Sequence, residues 1–174
     1  MKKYEPKDLE AIFKEIEGEN PRAAILVCGA LVENALEWAI GAHLRKPETD
    51  TEKSALFPDN GILGSFSEKI WGAYFMCIIG RTVRHNLDMI RLIRNVAGHD
   101  MNPLTFDHPD IASRCGQIEL LNEAFKDAPK PSRRQTYVLT AQFLTATLGL
   151  RSQENDPDIG EGVKRLPVLK WLDL

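Results

Sequence analysis

The chain has 174 residues, enough for one domain with a real core. Hydrophobic residues make up 43% and charged residues 27%, the balance of a soluble globular protein. A net charge of -3 and a pI near 5.8 argue against a protein built to coat nucleic acid, although a local basic patch stays open.

The opening MKKYEPKDLE has two lysines and no apolar core behind them, so no signal peptide is expected. Lys7 to Ile16 reads as a short amphipathic helix, broken by Gly18, Glu19 and Asn20. Asn20-Pro21 is a start signal, an N-cap followed by proline at N1. The helix it opens, Pro21 to about Leu44, is apolar on nearly every side and is expected at the centre of a bundle. Its polar exceptions are Arg22, Glu33, Asn34 and Glu37, and Glu33 and Glu37 share a face one turn apart. The apolar run Ala23 to Val32 is too short to cross a bilayer and is cut by Glu33, so no membrane contact is expected.

Lys46 to Gly64 reads as a loop, punctuated by Pro47, Pro58 and Gly61. Ser65-Phe66-Ser67-Glu68 fits a capping box and predicts a helix through Ile70, Trp71, Tyr74, Phe75 and Ile78, ended by Gly80. Arg81 to Gly98 forms the next. Asp107, His108 and Pro109 start another, carrying Ile111, Cys115, Ile118, Leu121 and Phe125. Pro129 and Pro131 separate it from a last long helix, about Ser132 to Leu150. The expected fold is therefore all-α, a mainly antiparallel bundle of five or six helices over residues 1–152. Residues 153–174 form a tail whose Leu166, Val168, Leu169, Trp171 and Leu172 suggest docking on the bundle.

Cys28, Cys77 and Cys115 form no C-x-x-C and read as buried free thiols in a reducing cytoplasm. His43, His85, His99 and His108 show no metal-ligand spacing, so neither metal nor cofactor is expected.

On a wheel of about 100° per residue, Val83, Leu87, Ile90, Ile93 and Ala97 gather on one side of the Arg81–Gly98 helix. Arg84, Asp88, Arg91 and Asn95 gather on the other, a solvated face on which Arg84, Asp88 and Arg91 form an ion-pair ladder. Arg94 falls among the apolar set, between Val83 and Leu87, where a charge needs a partner. Glu33 and Glu37 are the expected partners. Gly98 is expected to cap the helix, which lets His99 swing back toward Arg94. Arginine and histidine held together can cleave RNA without metal. Histidine serves as base on a ribose hydroxyl, and arginine stabilises the phosphorane-like transition state.

Arg94-x-x-x-x-His99, with polar Asn95 after the arginine, resembles the signature of the HEPN superfamily. That resemblance implies a metal-independent endoribonuclease with Arg94, Asn95 and His99 at its catalytic site, working as a dimer. The plain alternative is that Arg94 is an ion-pair residue and His99 a turn residue.

A second resemblance covers more of the chain. Leu63-Gly64-Ser65-Phe66-Ser67, then Lys69, Ala73 and Tyr74, then Asn86 through Asn95, Gly98-His99-Asp100 and Thr105 through Ile111 occur in the order typical of the mannitol operon repressor family. Roughly Leu63 to Cys115 carries this. The family implies an all-helical, cytoplasmic transcription regulator that works through protein contacts and self-association, without a standard DNA-binding motif. A direct test agrees on the last point. The helix after Gly80 is long for a recognition helix, its exposed stripe alternates in sign, and Met76 and Asn86 occupy places where a small and an apolar residue belong. A final basic cluster, Lys126, Lys130, Arg133 and Arg134, reads as a solvated loop, or as a contact for a phosphate or an acidic partner. The expected function is regulation through a protein partner, and the alternative is the ribonuclease.

Overall fold

A computed structural model describes residues 6–44, 49–57 and 60–151, and the tail 153–174 lies outside them. The described residues hold seven helices and no strand: α1 (Pro6–Gly18), α2 (Pro21–Gly41), α3 (Asp50–Leu56), α4 (Phe66–Phe75), α5 (Arg81–His99), α6 (Pro109–Cys115) and α7 (Arg133–Arg151). The all-α bundle expected from periodicity is what the chain builds.

The helix starts follow the local chemistry. Asn20 Oδ1 accepts from the Ala23 N–H, 2.9 Å away, and Pro21 occupies the first helical turn. The Ser65–Glu68 capping box is closed in both directions, Ser65 N–H donating to Glu68 at 2.8 Å and Glu68 N–H to Ser65 Oγ at 3.2 Å. The hydrogen bond from the Ser65 backbone N–H is the main reason the Glu68 carboxyl lies below its ordinary pKa.

α2 is the core. Ala24, Ile25, Cys28, Leu31, Val32, Ala35, Leu36, Ala39 and Ile40 are all buried, and α1, α4, α5 and α7 surround it. Its length and apolar composition alone would suffice for a membrane span, yet here those side chains pack against protein. α7 makes the largest interface with α2 and runs the same way. Arg134 at its start meets the carbonyls of Ile16, Glu17 and Glu19, just ahead of α2, and the Tyr137 hydroxyl donates to Ile25 O at 3.0 Å. α5 runs the opposite way, with Arg22 of α2 donating to Ala97 O and, at 2.7 Å, to Asn102 O. These two arginines satisfy carbonyls left over where α1 and α5 end.

Several boundaries differ from the sequence expectation. The stretch taken as a loop contains α3, opened by its own capping box between Thr49 and Glu52. α4 stops at Phe75; the chain then turns through Cys77, whose φ of 57° is left-handed, and buries Ile78 and Ile79. α5 continues through Gly98 to His99, with Asp100 as its extended cap, so Gly98 is not the cap. α6 ends at Cys115 instead of reaching Phe125. Turns follow it, held by the buried Asn86, whose Oδ1 accepts from the Glu119 and Leu120 N–H groups at 2.9 and 3.2 Å. Cys28 and Cys115 are buried, but Cys77 is exposed, contrary to the expectation of three buried thiols.

Candidate functional site

The charged centre of the bundle is Lys69, not Arg94. The Lys69 side chain is only 6% exposed, and its ammonium lies 3.0 Å from Glu33 Oε1 and 2.9 Å from Glu37 Oε2. Burial alone would push its pKa down, but hydrogen bonds and attraction from Glu37 and Glu33 outweigh that and hold it above its ordinary value. Arg94 joins at the edge, with Nη2 3.5 Å from Glu33 Oε2 and a side chain 37% exposed. Its stem crosses α2 at Gly29, where a Cβ would stand 2.9 Å from Arg94 Cγ and 3.1 Å from its Cβ. An arginine thus sits on an apolar face by laying its methylenes over a glycine and carrying its head out to a carboxylate.

Because α5 does not end at Gly98, His99 stays on the helical wheel. Five residues on, it projects about 140° around the axis from Arg94. His99 is exposed and Asn95 half-buried, and among the described residues no hydrogen bond joins either to Arg94. The histidine that does meet an acid is His108, with Nε2 3.3 Å from Asp100 Oδ2. Its Nδ1 is buried with no hydrogen-bond partner among the described residues. This contact joins Gly98-His99-Asp100 to Asp107-His108-Pro109, two segments that periodicity could not place together. Asp100 also accepts from the Asn102 backbone N–H at 2.8 Å, the main cause of its carboxyl lying below the usual range.

The basic cluster near the prolines divides by partner. Arg133 pairs with Asp107, Lys126 with Glu123 at 3.2 Å, and Arg134 is taken by the α1 carbonyls and stacks over Phe106.

The most unusual surface lies on α4 and the turn before it. Ile62 is 77% exposed, Phe75 74% and Trp71 42%. Ile62 stands beside Leu63, whose side chain lies against Gly72, next to Trp71. The Trp71 and Phe75 rings stack with centroids 5.6 Å apart, and Tyr74 meets Trp71 edge-on at 6.1 Å. The Arg84 guanidinium lies 4.8 Å from the Trp71 ring centre and 5.5 Å from that of Tyr74. Asp88 holds Arg84 at 3.2 Å and Arg91 at 3.2 Å, the ladder read from the sequence. Arg81 continues the stripe, exposed and without an ion pair among the described residues. The aromatic side chains and arginine are therefore set in place before anything binds, which lowers the ordering cost of association.

Neither a protein-family model nor a curated protein sequence matches the chain. A solved structure of similar fold is a chain in the X-ray structure of the MtlR–HPr complex from Escherichia coli. It shares 18% identity with a TM-score of 0.64, over 81% of this chain and 98% of that chain. At that identity the likeness establishes a shared all-helical fold.

Proposed function

We propose that this protein is a cytoplasmic transcription regulator of the mannitol-repressor type, acting by docking a protein partner on the Ile62–Trp71–Phe75 face. The observation that carries this reading is that face: two stacked aromatic rings and an isoleucine in water, rimmed by arginines fixed in position. Large contiguous apolar patches on a folded domain mark interaction sites, and tryptophan, tyrosine and arginine dominate binding hot spots. The fold shared with a protein solved in complex with HPr supports a protein as the partner. Self-association through other faces belongs to the same reading, and DNA is reached through the partner. Arg94, on this reading, is structural, spent on Glu33 and on the Gly29 crossing.

The test uses cells lacking the chain, supplied with the parent or with Phe75→Ser. Transcripts that shift on deletion return with the parent and do not return with Phe75→Ser, at equal protein level. Phe75 is mostly exposed, so the variant folds. Full restoration by Phe75→Ser, or no transcript that responds to the deletion, overturns the proposal.

A further inference from the structure

We propose that a second copy of this chain docks on the outer side of the α2–α7 pair, giving a two-fold dimer. This deepens the self-association named above by assigning its surface. On α2 the exposed or half-buried positions Ala23, Val27, Ala30 and Asn34 follow one another three and four apart along a single stripe, and Val27 is 40% exposed. On α7 the exposed positions Gln135, Leu139, Gln142 and Ala146 repeat the same spacing, and Leu139 is 36% exposed.

The two stripes lie side by side. The helices run parallel, and the Tyr137 hydroxyl on Ile25 O sets positions 112 apart at about one level. Val27 then stands beside Leu139, and Ala30 beside Gln142. Gly29 faces Arg94 of α5, while Glu33 and Glu37 face Lys69 of α4. The α2 stripe therefore lies between α4 and α7, on the side turned away from α5. The α7 stripe lies opposite its buried side, Tyr137, Ala141 and Leu144. The result is one surface two helices wide.

Its chemistry selects the occupant. A solvated helix face ordinarily carries charge, as α5 does with Arg84, Asp88 and Arg91. α7 has no charged residue between Arg134 and Arg151, and α2 none between Arg22 and Glu33. A two-fold contact sets a face against itself, so any net charge on it repels; this face has none to bring. The stripes are also symmetric about their own middle. A two-fold axis between Val27 and Ala30 puts Val27 on Ala30 of the second copy and Leu139 on its Gln142, so the larger apolar side chains pass each other without colliding. Along the 21 residues of α2, two helices each about 10 Å wide offer roughly 600 Å² per copy and roughly 1,200 Å² per pair. That is the lower edge of specific interfaces, so the dimer dissociates in the micromolar range. Trp71 is held against Arg84 of α5, so both copies keep the α4 face free.

Sedimentation equilibrium of the full chain across the micromolar range tests this, with circular dichroism to check folding. The parent shows a monomer–dimer equilibrium, and Phe75→Ser leaves it unchanged. Leu139 is partly in water already, so Leu139→Glu and Leu139→Lys fold. Each weakens the dimer about tenfold or more, since the two copies of the new charge meet about 5 Å apart along the helices. An equimolar mixture of the two variants recovers the dimer, because opposite charges then meet. Where either variant loses its helix signal, Gln142→Glu and Gln142→Lys, at an exposed position, replace the pair. A parent that stays monomeric overturns the proposal. So does a dimer that the charged variants leave intact, a loss that their mixture does not recover, or a dimer that Phe75→Ser abolishes. Docking of a different protein on the α4 face is decided separately, by the transcript experiment.

Discussion

Replacing Lys69 by methionine keeps the stem and removes the charge from the most buried ion cluster of the bundle. Glu33 and Glu37 then face each other one turn apart with no cation between them and little water. Removing one partner of a buried pair costs about 3–5 kcal/mol. Arg94 stays on Glu33 and both carboxylates keep some solvent, so the lower figure, about 3 kcal/mol, applies. For a chain of this size that lowers Tm by roughly 6–12 °C. Arg94→Met removes a longer pair with a third of the side chain in water, and costs under about 1 kcal/mol. Urea denaturation followed by circular dichroism measures both. Glu33→Gln/Glu37→Gln added to Lys69→Met recovers much of the loss. The pH dependence carries the sign. Because the Lys69 pKa is raised in the folded chain, its contribution is complete below the ordinary value of 10.5 and fades as pH rises past the folded value. The alkaline limb of the stability profile is therefore shallower in Lys69→Met. Lys69→Met within 1 kcal/mol of the parent, or Arg94→Met costing as much as Lys69→Met, refutes the assignment of the buried charge.

Other consequences are simpler to read. Gly29→Ala drives a methyl into the Arg94 stem and destabilises by about 1–3 kcal/mol, an effect that Arg94→Ala in the same chain relieves. Arg134→Ala leaves the last α1 carbonyls without donors and costs about 1.5–3 kcal/mol; hydrogen exchange speeds up in α1 before α5. Asp100, held below its ordinary 3.8 chiefly by the Asn102 N–H, contributes stability above that value that is lost as pH falls through its folded value. Asp100→Asn flattens the acid limb accordingly. RNA incubated in EDTA with the parent or with His99→Ala stays intact in both; cleavage by the parent alone revives the ribonuclease reading.

Features set by neighbouring residues were readable in the sequence. Asn20-Pro21 and Ser65-x-x-Glu68 act over one turn, and both helix starts fall where those residues put them. Thr49-x-x-Glu52 is the same signal and could have been found; it opens only two turns, without an apolar stripe to draw attention. The end of α5 was not readable. Gly98 looks like a cap, but the Ala97 carbonyl is taken by Arg22, 75 positions away, and the helix runs on to His99. With the helix carried on to His99, that side chain projects well around the axis from Arg94. The order of burial among the charges was hidden for a similar reason. Arg94 stands out on its own wheel, while Lys69 looks like one polar residue of an amphipathic helix. Which of them reaches Glu33 and Glu37 depends on how α4 and α5 cross α2. The wheel of α4 does announce Trp71 and Phe75, yet nothing in it says that they remain uncovered.

The parallel pairing of α2 with α7 bears on how the chain is made. The ribosome releases α2 more than ninety residues before Arg133, where its largest packing partner begins. Until then the flank that α7 will cover has no shelter, and the α1 carbonyls wait for a donor 118 positions downstream. The nascent chain therefore spends most of its synthesis with its greasiest helix half-clothed.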